Sequence, residues 1–270
     1  MSSQYLKNVA IVVAGGNAGS VVTQALVDGG KHTITAITRL ESNSQLPKGI
    51  HDIRKADYSD HAALVKAFVG QDVVLIFLAV TAPRDTQAKL VNAAVEAGVK
   101  WIMPNTWGGD YTKPEQDALG LGAGAMATNQ YIESKGANWI GVANGFWYEF
   151  SLSGAELRYG FDMKERTFTM FDDGNVKHTC TTWPQLGRAM VALLILPVEG
   201  TSPSVSDWKN KYVHIESFKL SQKDMFESVL RVTGTKESDW KISHEGTKER
   251  FERGMQAMKT GDWRGFGMVS

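Results

Sequence analysis

The apolar run Val9 to Val13 leads almost directly into Gly15-Gly16-Asn17-Ala18-Gly19, and Val21 to Asp28 then carries apolar residues at helical spacing until Gly29-Gly30 closes the pattern. A strand, a glycine turn and a helix in that order constrain this chain more than any other feature. The backbone must turn sharply and approach a ligand without a Cβ in the way. The helix start offers N–H groups that lack intrahelical partners, and the aligned peptide dipoles add a partial positive charge there, so the turn suits an anion.

The same alternation continues through the first half of the chain. Thr33 to Thr38 is the second strand, followed by a polar loop through Pro47 and a short strand or turn ending at Ala56-Asp57. A helix is expected from about Ser59, read as its N-cap, to Phe68. Val73 to Ala79 is wholly apolar, as a central strand covered on both faces should be. A helix over Thr86 to Ala97, a strand over Val99 to Met103, a helix over Ala123 to Ser134 and a strand over Trp139 to Val142 follow. Repeated βαβ units of this kind predict an α/β fold with a Rossmann-type doubly wound parallel sheet. Beyond about residue 150 the rhythm becomes mixed. It has a strand over Thr167 to Phe171, a turn at Asp172 to Asn175, and helices over Pro184 to Leu196, near Gln222 to Val232 and near Thr247 to Met258. The expected division is a dinucleotide domain over 1–150 and a smaller substrate-side region over 151–270, interleaved with the main sheet.

Composition narrows the partners. With 29 basic and 29 acidic residues there is no net field to attract nucleic acid or an anionic membrane, so neither is expected as a partner. The longest apolar run, Ala189 to Pro197, is about half a membrane span and reads as a buried helix. Cys180 is the single cysteine, which excludes an intramolecular disulfide and fits a reducing compartment, so a cytoplasmic location is expected. His32, His51, His61, His178, His214 and His244 are scattered without ligand spacing, and no metal is expected. GxSxG is absent, which leaves a serine hydrolase without support.

At the end of the second strand, where NAD-specific proteins usually carry an acidic residue, this chain has Thr38-Arg39, with Ser42 and Ser44 close behind. A guanidinium fork can hold a 2′-phosphate that an aspartate would repel. NADP(H) is therefore the predicted cofactor. Gly15, Gly16, Asn17, Ala18 and Gly19 would take the pyrophosphate and Arg39 the 2′-phosphate, and the later strand ends Ala79-Val80-Thr81 and Asn105-Thr106 would take the rest.

Several segments together are similar to the NmrA-like family of atypical short-chain dehydrogenases, in its isoflavone reductase-like, fungal branch. They are Lys7 to Ile11, the glycine turn, Ile37-Thr38-Arg39, Ala56-Asp57-Tyr58, Val65 to Val74, Leu90 to Lys100, Pro104 to Gly108 and Asn144 to Glu149. The resemblance spans roughly the first 200 residues. It implies NADP(H) binding and a substrate cleft at the carboxyl edge of the sheet. Two positions depart from the family pattern. Aligning GxxGxxG on Gly16 and Gly19 puts Val13 where the first glycine belongs, and the stretch where isoflavone reductase-like enzymes carry a catalytic lysine reads Gly124-Ala125-Met126-Ala127. Tyr131 to Lys135 matches the YxxxK of ordinary short-chain dehydrogenases but lies at the wrong end of its helix, so Tyr131 reads as a packing residue and Lys135 as a solvated helix terminus.

The strand ends carry an aromatic-rich set, Trp107, Phe146, Trp147 and Tyr148 with the amide of Asn144, that suits an aromatic or polyketide-like substrate. Tyr148, Tyr111 and Lys113 are the candidate proton donors, with Asp110 able to orient a partner. The predicted function is an NADPH-dependent reductase of an aromatic or polyketide-derived small molecule in secondary metabolism. Two alternatives stay open: a non-catalytic NAD(P)-sensing regulator, suggested by the missing lysine, and a non-redox ring-opening or isomerising enzyme on the same fold. The residues leave the oligomeric state open, with a homodimer among the expected assemblies.

Overall fold

A computed structural model describes residues 5–79, 81–113 and 122–269. The chain runs through β1 Asn8–Val12, α1 Asn17–Asp28, β2 Thr33–Arg39, β3 Asp52–Ala56, α2 His61–Phe68, β4 Val73–Ile76, α3 Thr86–Glu96, β5 Trp101–Met103 and β6 Trp107–Gly108. It continues with α4 Gly122–Ser134, β7 Asn138–Ala143, β8 Phe146–Trp147, α5 Tyr148–Leu152, β9 Phe161–Asp162, β10 Thr167–Phe171, β11 His178–Thr181 and α6 Trp183–Leu194. Last come β12 Lys211–His214, β13 Phe218–Leu220, α7 Gln222–Thr233, β14 Lys241–Glu245, α8 Thr247–Lys259 and α9 Arg264–Val269. Two compact units emerge: Met1–Asn144 with Trp183–Ile215, and Gly145–Thr182 with Glu216–Ser270. The first unit thus takes back α6 and β12 after the chain has visited the second.

The first unit is a Rossmann-type parallel sheet in the order β12-β7-β5-β4-β1-β2-β3, with β6 also pairing β7. Strand direction of winding reverses between β1 and β4, which opens a crevice at their carboxyl ends. β1 and β4 are apolar on both faces because helices cover both. Val9, Ala10, Ile11 and Val12 are buried, as are Val73, Val74, Leu75 and Ile76. Edge strand β3 instead exposes Asp52, Ile53 and Lys55, which discourages pairing with another chain.

Several expected boundaries moved, the first two for reasons of local chemistry. Asp60, not Ser59, caps α2: its carboxylate accepts from the Ala63 N–H at 3.0 Å, while the Ser59 N–H and hydroxyl both go to Asp57. β4 stops at Ile76 rather than running to Ala79. Past it, the Asn105 side-chain amide replaces a neighbouring strand, accepting from Leu78 N–H at 2.9 Å and donating to Leu78 C=O at 3.1 Å. α6 starts one residue early, at Trp183.

The second unit holds two small sheets, β14-β10-β9 and β13-β11-β8. Its core is aromatic, with Phe161 stacked on Phe168 at 4.4 Å and Phe168 on Phe226 at 4.6 Å. α7 presents one apolar face, Met225, Phe226 and Val229, to that core. A capping box between Ser221 and Asp224 starts the helix and Gly234, at φ 65°, ends it.

Candidate active site

The Gly16 N–H donates to Val13 C=O at 3.0 Å, no side chain caps α1, and no acidic residue lies in its first turn, so the helix start keeps its positive end for a ligand. Gly19 lets α1 close against β1: a Cβ there would lie 2.3 Å from the Val13 carbonyl oxygen. Gly15 lies under the loop after β2, where a Cβ would meet Gln45 C=O at 2.7 Å. Val13 itself adopts φ 62°, the left-handed region that a β-branched residue rarely occupies. The family's glycine at this position therefore corresponds to a real backbone demand, which valine meets with strain.

A cavity of about 410 Å³ opens beside the turn, lined by Val13, Gly15, Arg39, Ser42, Ser44, Tyr58, Ser59, Ala79, Thr81 and Lys89 among others. Arg39 stands exposed at the end of β2, and among the described residues its guanidinium has no carboxylate or hydrogen-bond partner. Lys89 is held by Asp85 at 2.7 Å. The Ser42 and Ser44 hydroxyls lie 3.4 Å apart. Burial pushes the Tyr58 phenol up to about 12 against the opposing influence of Arg39, and its hydroxyl donates to Ile37 C=O at 3.3 Å. The lining thus combines the Arg39 guanidinium and several hydroxyls with the apolar side chains of Val13, Ile37, Leu46 and Leu78. Tyr58, Ser59 and Lys89 are cavity residues that sequence reading missed. Ala56-Asp57-Tyr58 marked the place, but only the fold shows it beside Arg39. Val80 lies outside the described residues.

Other predicted residues use their polar atoms on the protein itself. Asn105 clamps Leu78 as described above, and its own N–H donates to Gln87 at 2.7 Å. Thr106 is buried against the Tyr212 hydroxyl. Trp107 stacks on Phe77 at 4.3 Å and its indole N–H donates to Ile76 C=O at 2.8 Å, so it forms a fixed wall at the end of β4. Asn144 follows β7 and is fully buried. Tyr111 packs its ring edge on Tyr212 at 6.4 Å, and Lys113 sits 3.6 Å from Asp110. Asp110 also receives His214 Nε2 at 3.0 Å, a contact that sequence reading missed. Gly124, Ala125, Met126 and Ala127 occupy the first turns of α4, where no side chain can move a proton. Tyr131 donates to Asn92, and the Lys135 ammonium lies 5.2 Å from the Tyr131 ring centroid.

In the second unit, Phe146 packs against His178 at 4.9 Å and Tyr159 at 6.0 Å, Trp147 pairs with Thr181 in the β8–β11 ladder, and Tyr148 lies edge-on to Phe218 at 5.7 Å. Burial, with Cys180 and Glu149 nearby, raises the Tyr148 phenol, which therefore holds its proton more firmly than a free tyrosine. The Tyr159 hydroxyl meets Cys180 Sγ at 3.4 Å, and burial raises both groups, so the thiol is inert rather than nucleophilic.

The pattern of the NmrA-like family matches residues 6–152. Oxidoreductase aprR of Aspergillus flavus is 28% identical over 266 residues, covering 97% of this chain and 84% of aprR. Among solved structures, the binary complex of leucoanthocyanidin reductase with NADPH from Vitis vinifera superimposes with a TM-score of 0.77 at 17% identity, over 97% of this chain and 86% of that one. AtPrR2 with NADP+ and (+)pinoresinol gives 0.75 at 20% identity, over 98% and 86%. With more than half of its residues inside the family pattern and a sheet whose switch point carries the glycine turn, the chain belongs to the NmrA-like family, and its near full-length fungal relative is an oxidoreductase.

Proposed function

We propose that this oxidoreductase uses NADPH to reduce an aromatic or polyketide-derived carbonyl or enone. The observation that carries the reading is Arg39: among the described residues, an unpaired guanidinium on the wall of a cavity that borders the glycine turn leading into an uncapped helix start. A 2′-phosphate would pair with it, with the Ser42 and Ser44 hydroxyls at hand, while the first N–H groups of α1 would face the pyrophosphate. Bound there, NADPH supplies a hydride, and the protein's part is to orient the dinucleotide, keep its ring against apolar walls and deliver a proton. The solved neighbours named above hold NADPH in one case and NADP+ with pinoresinol in the other, which supports a nicotinamide cofactor and an aromatic substrate here.

Calorimetry with NADPH, NADP+, NADH and NAD+ tests the cofactor half. The wild type should prefer the phosphorylated forms, and Arg39→Ala should lose at least about tenfold for NADPH while leaving NADH unchanged, since a charge-assisted bond contributes about 1.5–3 kcal/mol. Equal affinity for NADPH and NADH sinks the assignment of Arg39. NADPH oxidation across a panel of aryl ketones, enones and quinones tests the other half. A second reading, dinucleotide sensing without turnover, rests on the lysine-free start of α4. Tight NADPH binding with no oxidation across that panel, together with a protein partner recovered only in the presence of nucleotide, would favour it.

A further inference from the structure

Asp110 and His214 flank the carboxyl end of β7 from opposite sides. In the ladder, Gly108 of β6 pairs with Ala143 on one side, and His214 of β12 pairs with Ala143 on the other. All three strands run parallel, so this pair finishes at the same edge of the sheet as β1, β2 and β4, whose ends build the cofactor cavity. Ligands of open α/β sheets lie along that edge.

The two side chains differ in a way that an ordinary surface ion pair does not. The Asp110 side chain is 7% exposed, and it accepts from the Thr112 N–H at 3.1 Å, from the Thr112 hydroxyl and from His214 Nε2 at 3.0 Å. His214 is 54% exposed. A carboxylate is expensive to bury unless its neighbours satisfy it. Burial alone would raise the Asp110 carboxyl, but the Thr112 bonds and the His214 and Lys113 charges outweigh it and hold the group below its usual range. Asp110 is therefore a fixed anion. Its oxygen accepts from Nε2 and so fixes the tilt of the ring, leaving Nδ1 as the ring nitrogen that Asp110 does not engage. Among the described residues, the other titratable groups facing the pair are Lys113, 3.6 Å from the same carboxylate oxygen, and the Tyr111 and Tyr212 phenols packed beside it. Tyr148, the phenol nominated from the sequence, is by contrast raised by its surroundings.

We propose that His214, positioned by Asp110, is the proton donor of this reductase, in place of the lysine that α4 lacks. The inference rests on the reductase reading above. In the step, the hydride of a reduced nicotinamide forms a C–H bond at the acceptor's carbonyl carbon, and the C=O π pair moves to oxygen. That oxygen takes the Nδ1 proton of the His214 imidazolium, which is left as the neutral ring with its Nε2–H still on Asp110; the dinucleotide leaves oxidised, and solvent reprotonates the half-exposed ring. Thr112 and Asp110 are positioning residues.

The test compares wild type, His214→Ala, Asp110→Asn and Lys113→Ala, using NADPH and whichever aryl ketone or enone the wild type reduces fastest. His214→Ala is expected to stay folded with an unfolding temperature at most a few degrees below wild type, because Asp110 keeps both Thr112 bonds, and to bind NADPH within about twofold, yet to lose about 10²–10³-fold in kcat, within the usual range for a general acid. Its rate should rise again with added imidazole, and the high-pH fall in kcat should be absent. Asp110→Asn should keep that fall but displace it, which a merely structural carboxylate would not do. His214→Ala retaining kcat within threefold overturns the proposal while the reductase reading stands. A matching loss in Lys113→Ala with none in His214→Ala hands the proton to Lys113 and overturns it equally. A wild type that binds NADPH but reduces nothing in the panel removes the reductase reading itself, and this inference with it.

Discussion

A methyl group added at Gly19 would lie 2.3 Å from the Val13 carbonyl oxygen and 3.2 Å from its carbon. Even a close carbon-to-oxygen contact needs about 3.3 Å, so the start of α1 would have to retreat from the end of β1 by about 1 Å. The obstacle cannot move aside as a flexible side chain would, because the Val13 carbonyl is held by the Gly16 N–H at 3.0 Å and its residue is already at φ 62°. Overpacking of a close-packed site costs about 1–3 kcal/mol. Alanine in a helix interior gains about 0.5–1 kcal/mol over glycine whatever the site. Gly124 in α4 supplies the control, since a Cβ there meets nothing within 4 Å among the described residues. The propensity gain is common to both variants, so the difference between Gly19→Ala and Gly124→Ala isolates the steric cost. It should be about 1–3 kcal/mol in urea unfolding, with Gly124→Ala at or above the wild-type midpoint. On the proposed reading, a retreat of about 1 Å also withdraws the helix start from the site proposed for the pyrophosphate, so NADPH affinity should fall at least about tenfold in Gly19→Ala and hold in Gly124→Ala. A Gly19→Ala protein that matches Gly124→Ala in midpoint and binds NADPH like the wild type would refute the close-approach account of the turn.

The Asp60 cap makes Asp60→Ala about 1 kcal/mol less stable and leaves Asp60→Asn near wild type in thermal unfolding; equal losses would mean that the bond to Ala63 contributes nothing. Val13→Gly relieves a left-handed backbone worth about 1–2 kcal/mol, against about 0.5–1 kcal/mol of added chain entropy, and takes a half-exposed side chain off the cavity wall. Calorimetry should therefore show tighter NADPH binding at nearly unchanged stability, and weaker binding would contradict it. Burial holds the His178 imidazole below its ordinary range, so the folded chain favours the neutral ring. Its contribution is whole above about pH 6.5, the unfolded value, and is lost as pH falls through the window below. His178→Phe should flatten that part of a stability-against-pH curve, and an unchanged slope would rule the residue out as its source.

What could be read from the sequence, and what could not, follows from how far each contact reaches along the chain. Strands β1 and β4 announce themselves because both faces are covered, so nearly every residue is apolar whatever its neighbours are. The glycine turn is equally local. Its strand, its bend and its helix start are contiguous, and even the misfit of Val13 shows as a departure from a spacing. Edge strand β12 hides for the opposite reason. Lys211-Tyr212-Val213-His214 buries only Tyr212 and exposes both of its ends, and it joins the sheet because Gly141 of β7 leaves room for the Tyr212 ring, where a Cβ would come within 2.3 Å of it. No window of sequence contains both halves of that fit. Polar side chains pose a subtler problem. Asn105 and Trp107 do stand at strand ends, where a ligand-binding residue should stand, yet the amide and the indole N–H are taken by Leu78 and Ile76. Residue type states that a donor exists and position states which edge it occupies, but only the folded backbone decides whether a carbonyl reaches it first. Asp110 and His214 reverse the case. The histidine belonged to no pattern and the aspartate to an ordinary turn, and they meet across 104 residues because β6 and β12 both end beside Ala143. A site assembled from strand ends is written into the topology of the sheet, and the topology becomes readable only when the edge strand that closes it is in place.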